Sequence, residues 1–219
     1  LEIGCEEIPS RYMSGALQQL KELASGLLEE QRLQAESVDT WGTPRRLVLL
    51  IGRLEPYQHD LTVKIKGPPC SRAYDEQGLP TAALLGFARS QGISLDEVEV
   101  EKIKGLDYTI VSKQLPGKPV QEILPEQLSK LLCKLSFPRT MYWRSREVRF
   151  ARPVRWLLAL YGSELIPFSF GEVKSCRNTF GHRYLSPGPF SVNNPAEYFR
   201  CLEENYVILN QHQRREMIR

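Results

Sequence analysis

Arginine forks interleaved with aromatic faces suit one task above others: holding a polyanion whose flat bases can be stacked. The stretch "FPRTMYWRSREVRFARPVRW" (137–156) sets Arg139, Arg144, Arg149, Arg152 and Arg155 among Phe137, Tyr142, Trp143, Phe150 and Trp156. Guanidinium groups grip phosphate bidentately, and ring faces stack on splayed bases. Lys134 to Arg155 holds seven basic residues and one acidic residue, Glu147, whereas the two signs roughly balance elsewhere. The net charge is only +3, so this local stripe says more than the total. Three further stretches join it. "WGTPRRL" places Arg45 and Arg46 between a turn and a strand, "LLGFARSQG" carries Arg89 beside Phe87, and "NTFGHRYL" adds His182 and Arg183. The candidate RNA-binding set is therefore Arg45, Arg46, Arg89, Arg139, Arg144, Arg149, Arg152, Arg155, His182 and Arg183. The same residues fit a second reading. Arginines that flank a core strand pair with carboxylates of a neighbouring domain or subunit, aromatics at strand spacing fill cores, and arginine is enriched at protein interfaces. The residues alone leave both readings open.

Other chemistries find little support. No phosphate-cradling GxxxxGKS/T, dinucleotide GxGxxG, metalloprotease HExxH or hydrolase GxSxG occurs. His59, His182 and His212 are far apart, without the spacing of a metal site. Cys5, Cys70, Cys133, Cys176 and Cys201 are scattered, odd in number and never form CxxC. Neither zinc nor a disulfide framework is expected, and free thiols in a reducing cytoplasm are. The acidic pairs Glu29–Glu30, Asp96–Glu97 and Glu203–Glu204 read as solvated ends of elements. Glu6–Glu7, between a strand and a turn, fits that description least well. No catalytic residue is assigned. A cryptic hydrolase or editing activity, centred on Cys176 or His182, is a third reading without a legible nucleophile–base pair.

The elements that position these residues follow from periodicity. Met13, Ala16, Leu17, Leu20, Leu23, Ala24, Leu27 and Leu28 recur every three or four residues and predict an amphipathic helix with a core-facing stripe. Leu47 to Ile51 is a short apolar run flanked by Gly and Pro, hence a strand. "PTAALLGFARSQG" predicts a helix closed by Gly92, and Ser94 with Glu97 a capping box. "EVEVEKIKGLDYTIVSKQL" predicts a hairpin around Lys104 to Asp107. "VQEILPEQLSKLLCKL" predicts a helix with Pro125 in its first turn. Trp156 to Tyr161 and "ELIPFSF" are expected strands, and Asn194-Pro195-Ala196-Glu197 a capped helix start. These elements predict an α+β fold: a mixed or antiparallel sheet with packed helices and a small inserted helix–hairpin subdomain. The expected divisions are 1–69 and 116–190 for the two parts of the main domain, 70–115 for the insert, and 191–219 for the helical start of a next region.

The 219 residues are 42% hydrophobic and 25% charged, as in ordinary globular proteins, and can bury a real core. No apolar run approaches a membrane span, so no membrane partner is expected. The chain opens without Met, inside what reads as a strand, and stops inside what reads as a helix, so it is expected to be a piece of a longer protein.

Seven stretches taken in order, "LEIGCEEIPSRYM", "WGTPRRLVLLI", "KGPP", "GLPTAALLGFARSQG", "LSFPRTMYW", "RFARPVRWLLALYG" and "NTFGHRYL", resemble the N-terminal third of the β subunit of bacterial-type heterotetrameric glycyl-tRNA synthetase. The resemblance covers nearly the whole chain. It implies a ligase subunit that supports ATP-dependent attachment of glycine to its tRNA through tRNA binding and subunit assembly. The class II catalytic core, with ATP and Mg, would lie on the α subunit, and this chain would hold no cofactor itself. The implied partners are the α subunit, glycine tRNA and the rest of the β subunit, in an α2β2 assembly in the cytoplasm. A purely structural scaffold without RNA contact is the alternative.

Overall fold

A computed structural model of the protein describes residues 1–143 and 148–218. In chain order the elements are β1 (Glu2–Cys5), α1 (Ser10–Glu30), β2 (Ser37–Thr43), β3 (Arg46–Gly52), β4 (Leu61–Pro69), α2 (Cys70–Ala73), α3 (Ala82–Gln91), β5 (Val98–Ile103), β6 (Leu106–Leu115) and α4 (Val120–Lys134). After α4 come β7 (Met141–Tyr142), β8 (Arg149–Phe150), β9 (Val154–Leu158), β10 (Leu160–Tyr161), β11 (Glu164–Leu165), β12 (Ser169–Phe170), β13 (Val173–Cys176), β14 (Asn178–Thr179), β15 (Phe190–Ser191), α5 (Pro195–Glu204) and α6 (Gln211–Ile218). The fold is α+β, and the chain divides into two compact units. One joins Leu1–Gln58 to the stretch from Lys118 onward, and the other is His59–Gly117.

The first unit is built on a six-stranded sheet in the order β12-β13-β9-β1-β3-β2. β9 and β13 run parallel, while the other neighbours are antiparallel, so the sheet is mixed. β1 is central and buried along its whole length. Its two faces meet different layers. Ile3, Cys5, Leu47, Leu49, Leu157 and Ala159 join the leucine stripes of α1 and α4 in one core. Val48 and Leu158 join Val192, Tyr198, Leu202 and Leu209 in a second. A strand buried on both faces reads as a continuous apolar run, which explains "RLVLLI" and "WLLAL".

The stripe of α1 is buried as its spacing requires, with Ala16, Leu17, Leu20, Ala24, Leu27 and Leu28 inward. In α4 the expectation for Pro125 needs correcting. The helix starts five residues earlier, at Val120, so Pro125 lies beyond its first turn. Proline there removes a backbone hydrogen bond and crowds the preceding turn. Burial of Val120 and Ile123 anchors the extra turn against that cost.

The second unit is a three-stranded antiparallel sheet, β4-β6-β5, accompanied by α2 and α3. Lys104 and Gly105 form the β5–β6 turn, and both have positive φ (51° and 86°), as a tight hairpin requires.

Cys5 gives a test of the first core. Burial pushes its thiol from an ordinary value of 9.0 up to about 12, against a smaller downward pull from Arg45 and Arg46. The folded protein keeps this proton at a pH where the unfolded chain has released it. Stability contributed by the protonated thiol is therefore complete below about 9 and is lost as pH rises towards about 12, with a limiting slope of about 1.4 kcal/mol per pH unit. Urea unfolding of wild type and Cys5→Val across this range should show the variant losing stability more slowly. Parallel curves would remove Cys5 as the cause.

Candidate nucleic-acid interface

The basic residues separate into groups once the sheet is formed. The main group surrounds the end of β1. A register shift between Gly4 and Cys5 marks a bulge at the end of β1, where Cys5 still pairs with Val154. Main-chain bonds then fix the path of the chain: Cys5 N–H donates to the Arg45 carbonyl (2.9 Å), Glu6 N–H to Pro153 (3.0 Å) and Ile8 N–H to Pro44 (2.7 Å). Glu6 and Glu7 are thereby held between the Pro44–Arg45 turn of the β2–β3 hairpin and the segment leading into β9.

Arginines reach these two acids from separate parts of the chain. Arg155 Nε lies 3.5 Å from Glu6 Oε1, and Arg183 Nη1 lies 3.8 Å from Glu7 Oε1. Arg152 Nε donates to the Glu7 carbonyl at 3.1 Å. Arg45 is half-buried at the hairpin tip. Three guanidinium groups thus adjoin Glu6 and Glu7, two at the carboxylates and one at a main-chain carbonyl, leaving an excess of positive charge. Arg152, Arg155 and Arg183 are exposed, and exposed pairs of this kind contribute only about 0–1 kcal/mol. A phosphate can therefore replace a carboxylate as partner at little cost.

The second group is on the short β7–β8 ladder. Arg149 is exposed and lies over the Tyr142 ring, 5.1 Å from its centroid, and Arg139 is exposed just before β7. Arg89 is exposed near the end of α3, in the other unit. Arg144 lies outside the described residues. His182 is exposed, and its Nδ1 accepts from the backbone N–H groups of Tyr184 (3.3 Å) and Leu185 (3.2 Å).

Arg46 departs from the surface set. Its side chain is 2% exposed and its Nη1 lies 2.9 Å from Glu2 Oε1, which is fully buried. Nη1 also donates to Thr179 Oγ1 (3.3 Å) and Nη2 to the Phe180 carbonyl (2.6 Å). The Trp156 ring centroid is 5.6 Å from the guanidinium carbon. Burial pushes the Glu2 carboxyl up from its ordinary range, while Arg46, Thr179 and Trp156 pull it back. Arg46 is directed into the sheet, away from any ligand at the surface. Glu2 was invisible as its partner because an acid near the chain start, in "LEIGC", has no local mark of burial beyond its apolar neighbours.

The comparisons with known proteins bear on the whole chain. It matches the family described as "Glycyl-tRNA synthetase beta subunit" over residues 1–219. The chain belongs to the glycyl-tRNA synthetase beta subunit family.

Among curated members of the family, it is 48% identical over 217 residues to the glycine–tRNA ligase beta subunit of Moorella thermoacetica, covering 99% of this chain and 31% of that protein. It is 43% identical over 218 residues to the same subunit of Desulforamulus reducens, covering 100% and 31%. For Syntrophomonas wolfei the identity is 44% over 218 residues, covering 100% and 32%. The chain thus spans about a third of the length of these relatives.

The aromatics of the interleaved stretch are mostly buried or half-buried. Phe150 and Trp156 are buried, and Phe137, Phe150 and Phe170 form an edge-on ring series with centroids 4.8 and 5.8 Å apart. Trp143 Nε1 donates to the Phe150 carbonyl (3.1 Å). Tyr142 is the member of the interleaved set whose ring is open to solvent. A cavity of about 570 Å³ opens beside the start of β1, among Leu50, Ile51, Leu124, Leu128, Leu160 and Tyr198. Its lining includes no Ser, Cys or His. Cys176 Sγ donates to the Leu157 carbonyl at 3.5 Å, and His182 Nδ1 is engaged by the two N–H groups of its own turn. The described residues offer no helix long and apolar enough to cross a membrane.

Proposed function

We propose that the chain is the N-terminal part of the beta subunit of a glycine–tRNA ligase and supports the attachment of glycine to tRNA by binding the tRNA and building subunit contacts. In this reading the α subunit carries the catalytic core with ATP and Mg, the assembly is α2β2, and it works in the cytoplasm. The observation that carries the RNA part is the set of three exposed arginines, Arg152, Arg155 and Arg183, around the two carboxylates of Glu6 and Glu7. Such a group holds phosphate oxygens without reading sequence, as a positioning surface for tRNA must.

The test is binding of glycine tRNA by wild type and by the Arg152→Glu/Arg183→Glu variant across a salt series. The variant should bind more weakly, and its log–log salt slope should be shallower by about 1 for each phosphate that it no longer neutralises. An unchanged slope would overturn the RNA role of this group.

A second reading has its own observation: Glu6 and Glu7 already engage these arginines and tie the end of β1 to β9, to the segment before it and to the segment after β14. A scaffold without RNA contact would use them in that way alone. The same variant would then lower stability or weaken association with the α subunit while leaving tRNA affinity unchanged.

A further inference from the structure

We infer that the turn 181–186 is a stacking platform for an unpaired RNA base, with Tyr184 as the stacking face. The inference rests on the RNA reading above and names the kind of RNA element that this edge takes.

The turn presents large apolar surface to solvent. Tyr184 is 81% exposed and Leu185 65% exposed. Exposure of this kind in a slack loop would mean little, but this turn is closely tied down. His182 N–H donates to the Asn205 carbonyl at the end of α5 (2.9 Å), and Ser186 N–H donates to the His182 carbonyl (3.0 Å). The His182 ring accepts from the N–H groups of Tyr184 and Leu185, closing the turn from inside. Ser186 Oγ donates to Asn205 Oδ1 at 2.6 Å, and Asn205 Nδ2 donates to the Cys201 carbonyl at 2.7 Å. Gly181 lies so close beneath that a Cβ there would overlap the Ser186 carbonyl oxygen. The backbone that carries Tyr184 is therefore fixed from both sides while its ring stays in water. With its backbone already fixed, Tyr184 has only its own side-chain torsions to restrict on binding a flat partner.

The surrounding charge indicates which flat partner. The Arg183 guanidinium carbon is 5.9 Å from the Tyr184 ring centroid, and its Nη1 reaches Glu7 in the arginine group. An open aromatic face next to several cations is the combination used for single strands: the face takes a base, and the cations take the phosphates on either side. A base within a duplex is stacked on both faces and cannot use the platform. An apolar protein surface would gain from Tyr184 and Leu185 but would have to cover Arg183 and Arg152 as well. The charge therefore favours RNA over a protein partner.

The experiment compares wild type with Tyr184→Ala, Tyr184→Phe and Tyr184→Trp. The probes are a short single-stranded oligoribonucleotide, carrying a fluorescent purine analogue whose emission falls on stacking, and a blunt RNA duplex. Tyr184→Ala should weaken single-strand binding by about 5- to 150-fold, the range expected for removing one base–aromatic stack. It should abolish the emission change and leave duplex binding and the salt slope as they were, while the aromatic variants keep single-strand binding. Unchanged single-strand affinity in Tyr184→Ala, or an equal loss on duplex and single strand, would overturn the platform. If Arg152→Glu/Arg183→Glu still made the salt slope shallower, the broader RNA reading would survive that result. If wild type bound neither probe at low salt, both readings would fall. Loss of α-subunit association in Tyr184→Ala without loss of RNA affinity would assign the turn to a protein interface instead.

Discussion

Arg46→Leu should lower the unfolding free energy by about 3–5 kcal/mol, the usual effect of breaking a buried ion pair from one side. The side chain lies within the sheet with Glu2 at 2.9 Å, so its removal leaves a buried carboxylate without a counter-charge. It also takes the donors from Thr179 Oγ1 and the Phe180 carbonyl. Glu2→Leu should be similarly costly, because it leaves the guanidinium uncompensated. The double variant Glu2→Leu/Arg46→Leu should recover part of the loss, since two well-packed apolar residues can replace a buried pair almost neutrally. The recovery should be incomplete, because the Phe180 carbonyl still lacks its donor, at about 1–3 kcal/mol. Arg152→Leu, by contrast, removes an exposed contact and should cost under about 1 kcal/mol. Urea unfolding of the four variants at neutral pH measures all of this. An Arg46→Leu loss no larger than that of Arg152→Leu would show that the pair contributes little. Under the proposed tRNA binding, the salt slope provides the functional counterpart: it should be the same for Arg46→Leu and wild type wherever the variant is folded, and a shallower slope would place Arg46 among the phosphate contacts after all.

The contrast between Arg46 and its neighbours explains what the sequence could and could not convey. The stripe of α1, the apolar run of β3 and the Lys104–Gly105 turn are local patterns. Each follows from spacing or from a conformation that few residues adopt, and each is found where expected. The pairing of Glu2 with Arg46 is not local. It arises because Gly4 lies opposite Arg46 and Glu2 opposite Val48 in the β1–β3 register, which makes Glu2 and Arg46 diagonal neighbours on one face. No pattern within either strand encodes that register. The same geometry accounts for the alternation of arginine and aromatic near residue 150. In Arg149–Phe150 and Arg155–Trp156 the arginine is exposed and the ring buried, as successive strand residues must point to opposite faces. Much of the interleaving that suggested base stacking is thus strand alternation around a core. Tyr142 of that stretch stays open to solvent, and a more exposed ring lies at Tyr184, in a turn tied to Asn205, a residue of the C-terminal helical region that carries no mark of that role in the sequence.

Trp156→Ala should cost about 3–5 kcal/mol, as expected for emptying a buried indole site, and Gly4→Ala should cost about 1–3 kcal/mol or somewhat more, as an overpacking change. The two are opposite faults of one contact. A Cβ on Gly4 would overlap Cε2 and Cδ2 of Trp156, well inside van der Waals contact. The obstacle is a rigid bicyclic ring, itself packed on Phe180 with centroids 4.6 Å apart, so it cannot swing aside as a flexible chain end would. The cost of Gly4→Ala should therefore vanish in a Trp156→Ala background. It should even change sign there, because alanine restricts the unfolded chain more than glycine does. A double-mutant cycle by urea unfolding measures the coupling, and an equal Gly4→Ala cost in both backgrounds would refute the contact as its cause. The consequence reaches the arginine group. Gly4 is opposite Trp156 in the β1–β9 register, and the register shift at the end of β1 follows it directly, between Gly4 and Cys5. Glu6, beside Arg155, and the Glu7 carbonyl, beside Arg152, follow two and three residues after Gly4, so a displaced β1 shifts them too. If the arginine group binds tRNA as proposed, Gly4→Ala in the wild-type background should disturb the salt dependence of that binding as well as stability, although residue 4 itself can touch no phosphate.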